Sequence, residues 1–228
     1  MDTLHATARQ LAAEAINDGR PLDWFETLYA KAQRYEAIVP WADLIPNPNL
    51  TALFDEQRHR FTNMKSALKV GCGLGDDAEW LAQQGLDVTA IDIAKTAIAQ
   101  CLQRFPQSPV RYCVANLFEA PTDWCNAFDL VVEAYTLQVL PAQLRPAALS
   151  HIAQCVASNG YLLIVARLRE PVEAIGAMPW PLTRAEIDEI KALGFTEIVA
   201  NDFFDQETPP VRRFRGIYQK IDMQRMSP

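Results

Sequence analysis

Leu68-Lys69-Val70-Gly71-Cys72-Gly73-Leu74-Gly75-Asp76-Asp77 carries most of the architectural information in this chain. A short apolar approach, with Ala67, Leu68 and Val70, runs into three glycines spaced by two. Residues 77–84 are helix-like and end at Gly85; residues 86–91 are strand-like and stop at Asp92. Strand, glycine turn, helix, strand and acid, in that order, are the first half of a nucleotide-binding α/β sheet. Glycines at a strand end turn tightly and let a ligand approach, because no Cβ intervenes. The helix that follows starts with free N–H groups. Asp92 closes the next strand, where a ribose diol can donate to its carboxylate. Taken singly, the glycines also describe a tight strand–helix connection and Asp92 a cap ahead of Ala94. The combination favours a nucleoside site.

The glycine spacing narrows the ligand. The dinucleotide pattern G-x-G-x-x-G needs glycine at 76, and this chain has Asp76 followed by Asp77. Two carboxylates at a helix start repel a pyrophosphate where that motif attracts one. A cationic or neutral nucleoside suits them better. S-adenosylmethionine carries a sulfonium, an amino acid end and no phosphate. The stretch resembles motif I of the class I S-adenosylmethionine-dependent methyltransferases, which makes S-adenosylmethionine the expected cofactor.

Composition agrees. The 228 residues suffice for one α/β domain with a sizeable core. The net charge of −7 argues against a nucleic-acid partner, whose phosphates demand clustered Lys and Arg. Cys72, Cys101, Cys113, Cys125 and Cys155 contain no C-x-x-C pair, so reduced thiols and a cytoplasmic location are expected. The start, Met1 to His5, lacks a basic and an apolar leader region, and no apolar run is long enough for a bilayer. No metal site and no membrane partner are expected, and the chain is read as a monomer or weak homodimer.

Upstream, residues 2–17 carry Leu4, Leu11, Ala12 and Ala15 at helical spacing. A second helix is predicted over about 22–35, with Trp24 and Leu28 on one stripe and Phe25 and Tyr29 beside it; core packing alone explains such a stripe. The proline-rich run Val39 to Leu50 predicts an ordered, extended loop carrying Trp41, a candidate lid. Downstream, a helix is predicted over 94–104 and a strand over 110–114. The strand leads to Asn116, whose amide suits an adenine edge, and to Leu117 and Phe118, which suit its ring. The strand Phe128 to Glu133 ends in Glu133-Ala134-Tyr135, at the sheet edge where ligands sit in such folds. A helix follows over 141–156, then the doubly buried strand Tyr161 to Ala166. Thr183, with Glu186 three on, predicts a capping box for a helix ending at Gly194. Strands over about 195–203 and 211–221 are close enough to pair antiparallel.

The run Gly71 to Ile98 is similar to the thiopurine and tellurite-resistance methyltransferase branch, with Trp80, Leu81, Ala82, Gly85 and Asp92 in that branch's places. Trp24, Tyr29 and Asn47-Pro48-Asn49-Leu50 upstream, and Leu140-Pro141, Pro179 and Arg213-Phe214-Arg215 downstream, fit it too. Two departures stand out. Lys69 occupies a place where many class I enzymes carry an acid, and Glu133-Ala134 replaces the Asp-Arg of the thiopurine enzymes. The resemblance implies a doubly wound, Rossmann-like sheet of seven strands, mostly parallel with one antiparallel strand, under a helical N-terminal cap. Residues 1–50 form that extension and lid; residues 51–228 form the cofactor domain. The implied cofactor residues are Trp24, Tyr29, Gly71, Cys72, Gly73, Gly75, Asp77, Asp92, Ile93, Asn116, Leu117, Glu133 and Ala134. Trp41, Tyr135 and Arg213 are assigned to the methyl acceptor.

The implied reaction is an in-line displacement that needs alignment and desolvation more than acid–base chemistry. An acceptor that is already an anion, such as a thiolate, needs no dedicated base, and no catalytic residue is assigned. His5, His59 and His151 fall outside the cofactor motifs and read as structural or surface groups. The Asn/Asp-Pro-Pro-Tyr motif of amino-group methylation on nucleic acids is missing, so the expected partner is a small-molecule acceptor. Two alternatives stand beside a small-molecule methyltransferase: a non-catalytic cofactor-binding or protein-partner module, and a nicotinamide-dependent oxidoreductase, against which Asp76 argues.

Overall fold

The computed structural model describes residues 2–221, and side chains from residue 6 onward. The expectations for the side chains of Leu4 and His5 lie outside the described residues. The order of elements is α1 (Asp2–Asn17), α2 (Asp23–Gln33), α3 (Pro48–Glu56), β1 (Ser66–Val70), α4 (Asp76–Gln83), β2 (Asp87–Asp92), α5 (Lys95–Arg104), β3 (Arg111–Val114), β4 (Phe128–Ala134), α6 (Arg145–Cys155), β5 (Val156–Arg167), α7 (Arg184–Ala192), β6 (Phe195–Phe204) and β7 (Arg212–Lys220).

The glycine turn sets the topology. β1 enters it and α4 leaves it, so β2 returns parallel to β1. Such crossovers build the seven-stranded order β3-β2-β1-β4-β5-β7-β6, with β7 antiparallel to both neighbours. Helices cover both faces, so β1, β4 and β5 read as near-continuous apolar runs, as strands buried on two sides must. One face packs Trp24, Leu28, Leu149, Ile152 and Ile187. The other packs Leu50, Leu53, Phe54, Ala78 and Leu81. Gly85 takes φ +93 just past the end of α4, a left-handed position that suits glycine and frees the chain for β2. At α7 the Thr183 hydroxyl accepts from Glu186 N–H while Glu186 accepts from Thr183 N–H, the predicted capping box.

Three local expectations change. Asn47 to Leu50 is not loop: Pro48 opens α3, and Asn47 Oδ1 accepts from Asn49 N–H at 2.9 Å and Leu50 N–H at 3.4 Å. Proline breaks helix interiors but is favoured in a first turn, whose N–H groups lack helical partners anyway. The expected boundary at residue 50 therefore falls inside α3. The helix expected from Pro141 begins at Arg145, after a short 3-10 turn over Ala142–Leu144. Val156 ends no helix; it opens β5, which is longer than its apolar centre suggested.

Candidate active site

The strand order reverses between β1 and β4, and ligands in open α/β sheets bind at the carboxyl ends of strands flanking such a reversal. A cavity of about 890 Å³ lies there. The glycine turn and the ends of β2 and β4 line it, together with α2, the loop after α2, and the segments that follow β5 and β6.

Gly71 and Gly73 both hold φ +57, a conformation glycine adopts without penalty. A Cβ on Gly73 would come within 3.1 Å of the Tyr29 hydroxyl, so the turn is already closely covered. Asp92 clamps it: Oδ2 accepts from Gly73 N–H and Oδ1 from Ala94 N–H, both at 2.9 Å. The carboxylate thus braces the turn and also lines the cavity. The paired acids at the start of α4 are compensated. Asp76 pairs with Arg104 at 2.7 Å. Asp77 Oδ2 lies 3.7 Å from Lys69 Nζ, and Asp77 Oδ1 accepts from Asn47 N–H at 2.8 Å.

Lys69 is the group whose role the sequence left open. It is almost fully buried, and Nζ donates to the carbonyls of Val70 and Gly71 beneath the turn. Its charge also acts on Asp92 and Glu133. One buried cation thus serves three carboxylates, the arrangement that makes burying any of them affordable.

Glu133 is fully buried and stands behind the cavity wall. Its Oε1 accepts from Thr136 N–H at 2.7 Å and Leu137 N–H at 2.9 Å, while Oε2 has no hydrogen-bond partner among the described residues. These bonds fix the turn after β4, where Tyr135 takes the left-handed φ of 64°. Such a conformation in a bulky residue costs on the order of 1–3 kcal/mol and persists only where its surroundings impose it. Tyr135 and Arg213 both face the cavity and bond each other, Arg213 Nη1 donating to Tyr135 Oη at 3.2 Å.

Ile93, Asn116, Leu117, Ala134 and Trp41 also reach the cavity, as does Cys72. Asn116 spends Oδ1 on Phe118 N–H at 3.1 Å, a turn role, and keeps its NH2 as a donor. Trp41 Nε1 donates to Tyr29 Oη at 3.0 Å. Trp24 is different: it does not line the cavity, but stacks on Phe25 at 4.0 Å and meets Trp41 edge-on at 6.0 Å. Gly75 likewise lies off the wall, at the start of α4, against the Tyr112 hydroxyl. Phe25, Thr136, Gln138 and Arg167 line the cavity without having been singled out in sequence. His59 is exposed, and His151 packs edge-on to Phe118; neither reaches the cavity. Among the described residues no group of acids, Cys and His is arranged to hold a metal.

Burial pushes Glu133 up to about 7 and Asp92 up to about 6, partly offset by their backbone N–H partners and Lys69. The folded protein therefore keeps protons that the unfolded chain, with carboxylates near 4.5 and 3.8, has already released. Stability is then greatest at the acid end and falls as pH rises through the interval from about 4.5 to 7, by up to about 3 kcal/mol for Glu133. Melting curves from pH 5 to 8 should show the midpoint falling with pH, and Glu133→Gln should flatten the slope. A midpoint that rises across this range would contradict the assignment.

The sheet order and the cavity at its switch point are those of the Rossmann-like class I methyltransferase fold. Residues 68–164 match the family model described as a methyltransferase domain. Among solved structures, a 1,6-didemethyltoxoflavin N1-methyltransferase from Burkholderia thailandensis has bound 1,6-didemethyltoxoflavin and S-adenosylhomocysteine. It is similar at a TM-score of 0.64 and 17% identity, over 96% of this chain and 89% of that one. The N-methyltransferase NodS from Bradyrhizobium japonicum WM9, in complex with S-adenosylhomocysteine, is similar at 0.66 and 19%, over 86% and 100% of the two chains. A TehB-like S-adenosylmethionine-dependent methyltransferase from Corynebacterium glutamicum is similar at 0.58 and 22%, over 86% and 98%. Among curated proteins no sequence matches this chain. The fold is thus that of the class I methyltransferases, and residues 68–164 match a methyltransferase domain. No helix among the described residues is long and apolar enough to cross a membrane.

Proposed function

We propose that the cavity holds S-adenosylmethionine beside a small-molecule acceptor, and that the acceptor atom is a soft nucleophile such as a thiol, as in the thiopurine and tellurite-resistance branch. One observation carries the reading: a single cavity joins the glycine turn and Asp92 to an end built from Tyr135 and Arg213. The residues suit the cofactor. Gly71 and Gly73 place no Cβ at two positions of the turn that line the cavity. Each Asp92 oxygen has one N–H partner here, and a carboxylate oxygen can accept a second bond, from a ribose hydroxyl. Ile93 and Leu117 offer apolar flanks to an adenine, and Asn116 a donor.

When bound, the cofactor supplies an electrophilic methyl group on sulfur. The chain's own residues bind, orient and exclude water. Asp205 and Glu207 are committed to Arg213, and Asp43 is the exposed cavity carboxylate without an ion pair among the described residues. No histidine faces the cavity among the described residues. An acceptor that brings its own reactive lone pair, as a thiolate does, suits such a site. The lid expected within the N-terminal extension, residues 1–50, is narrowed by packing. Trp24, Phe25, Leu28 and Tyr29 anchor α2 in the core, so closure belongs to the loop 34–47, which carries Trp41.

S-adenosylhomocysteine at about 100 times its dissociation constant should stabilise the protein by roughly 2.7 kcal/mol, and NADH should not. Hydrogen exchange under the same conditions should slow in the loop 34–47 and stay unchanged in α2. Labelled methyl should pass to thiols and not to nucleic acid. A thermal shift with NADH and none with S-adenosylhomocysteine would overturn the cofactor reading; transfer to nucleic acid alone would overturn the acceptor reading.

A further inference from the structure

The acceptor end of the cavity contains donors with nothing to bind. Arg167 is the last residue of β5, is half-buried and lines the cavity. Its N–H donates to Gln138 Oε1 at 2.8 Å, which fixes the strand end. Across the antiparallel pair it stands directly opposite Arg213. Like charges so placed destabilise a sheet unless something compensates them. Arg213 is compensated, by Asp205 at 2.6 Å and by Glu207. The Arg167 guanidinium has no hydrogen bond or ion pair among the described residues. Burial, and next the charge of Arg213, work against its protonated form, while Glu207, Tyr135 and Asp205 favour it.

Tyr135 adds a second unspent donor. Its oxygen accepts from Asn49 Nδ2 at 3.3 Å and from Arg213 Nη1 at 3.2 Å, with the Arg213 guanidinium 5.6 Å from its ring centre. A phenol oxygen has two lone pairs and one proton. With both lone pairs engaged, the O–H is left to donate, and no described residue accepts it. The left-handed turn braced by Glu133 holds this side chain at the cavity.

We infer that the methyl acceptor carries a carboxylate, received by the Arg167 guanidinium and the Tyr135 hydroxyl at the ends of β5 and β4. The guanidinium fork matches a carboxylate with two parallel bonds, and its charge-assisted bonds are the strong ones. The inference rests on the methyltransferase reading and adds the substrate class. A mercapto acid would satisfy both: with its thiol proton lost to solvent, its sulfur would bond the methyl group as the sulfonium S–CH3 bond breaks and S-adenosylhomocysteine leaves, while its carboxylate fixes the pose.

Calorimetry on the S-adenosylhomocysteine complex tests it, with acetate, benzoate and 2-naphthoate, each against its neutral amide. At least one carboxylate should bind ten times or more tighter than its amide. Arg167→Gln should remove that preference, Arg167→Lys should retain part of it, and Tyr135→Phe should weaken the carboxylate several-fold. S-adenosylhomocysteine affinity should be unchanged in the Arg167 variants, which also reports that they are folded. If the cofactor product binds and no carboxylate is preferred, or if Arg167→Gln keeps the full preference, the inference is wrong and the methyltransferase reading survives. If S-adenosylhomocysteine itself does not bind, the functional reading fails and the inference with it.

Discussion

Gly71→Ala should destabilise the fold by about 2–5 kcal/mol and abolish measurable cofactor binding. Two separate costs add. Gly71 sits at φ +57, where an L-residue pays roughly 1–2 kcal/mol. The new Cβ would also fall 2.4 Å from Thr136 Oγ1 and 3.0 Å from its Cγ2. Such overpacking costs typically about 1–3 kcal/mol. Thr136 cannot simply rotate away at no cost, because Oγ1 donates to Val70 O at 3.3 Å and its N–H is held by Glu133. Gly85→Ala is the control: φ is +93, but nothing lies within 4 Å of the added Cβ, so only the backbone cost remains. Urea or thermal unfolding of both variants separates the two terms. Adding Thr136→Ala to Gly71→Ala should recover part of the loss, since it removes the two nearest atoms. Equal destabilisation by Gly71→Ala and Gly85→Ala would show that Thr136 exerts no steric control over the turn.

Asp92→Ala should cost about 2–6 kcal/mol of stability, because two buried backbone donors, Gly73 N–H and Ala94 N–H, lose their acceptor at roughly 1–3 kcal/mol each. Lys69 also loses one of its compensating charges. Asp92→Asn keeps one acceptor oxygen and should fall between. If the carboxylate also receives the ribose hydroxyls, S-adenosylhomocysteine affinity should drop by about a further 1.5–3 kcal/mol, measured by calorimetry at a temperature where the variant is folded. A full stability loss with unchanged affinity would leave Asp92 as a clamp on the turn. No loss of either kind would remove it from both roles. A ribose-binding role alone would leave the fold intact; the two backbone donors add the stability cost.

Much of the scaffold could be read residue by residue because its causes are local. A glycine's access to positive φ, the Thr183–Glu186 cap and the doubly apolar run of β5 act within a few positions of the chain. From these the seven strands, their crossovers and the glycine-rich end of the cavity follow. The misreading of Asn47 to Leu50 has a local cause too. Proline signals a break unless its place in the first helical turn is known, and Asn47 was the cap that should have marked that place. Trp24 and Tyr29 share one helix in sequence; only packing shows that Tyr29 meets the cavity while Trp24 backs Trp41.

The end of the cavity that we propose for the acceptor belongs to tertiary structure. Tyr135 follows β4, Arg167 ends β5 and Arg213 lies on β7, far apart in the chain, and they converge because those strands are consecutive in the sheet. Arg167 draws no notice in sequence, since an arginine after an apolar strand is ordinarily a solvated end. Its significance lies in a missing partner, and that is a property of every side chain packed around it. Lys69 is the same kind of case. As a letter in the motif it is only a departure, whereas in the fold it is the buried cation shared by Asp77, Asp92 and Glu133. Backbone conformation and capping are short-range, so sequence alone determined the scaffold and the glycine-rich end. Charge compensation in a low-dielectric interior is long-range, so only the folded chain decided which charges are paired and which are left over.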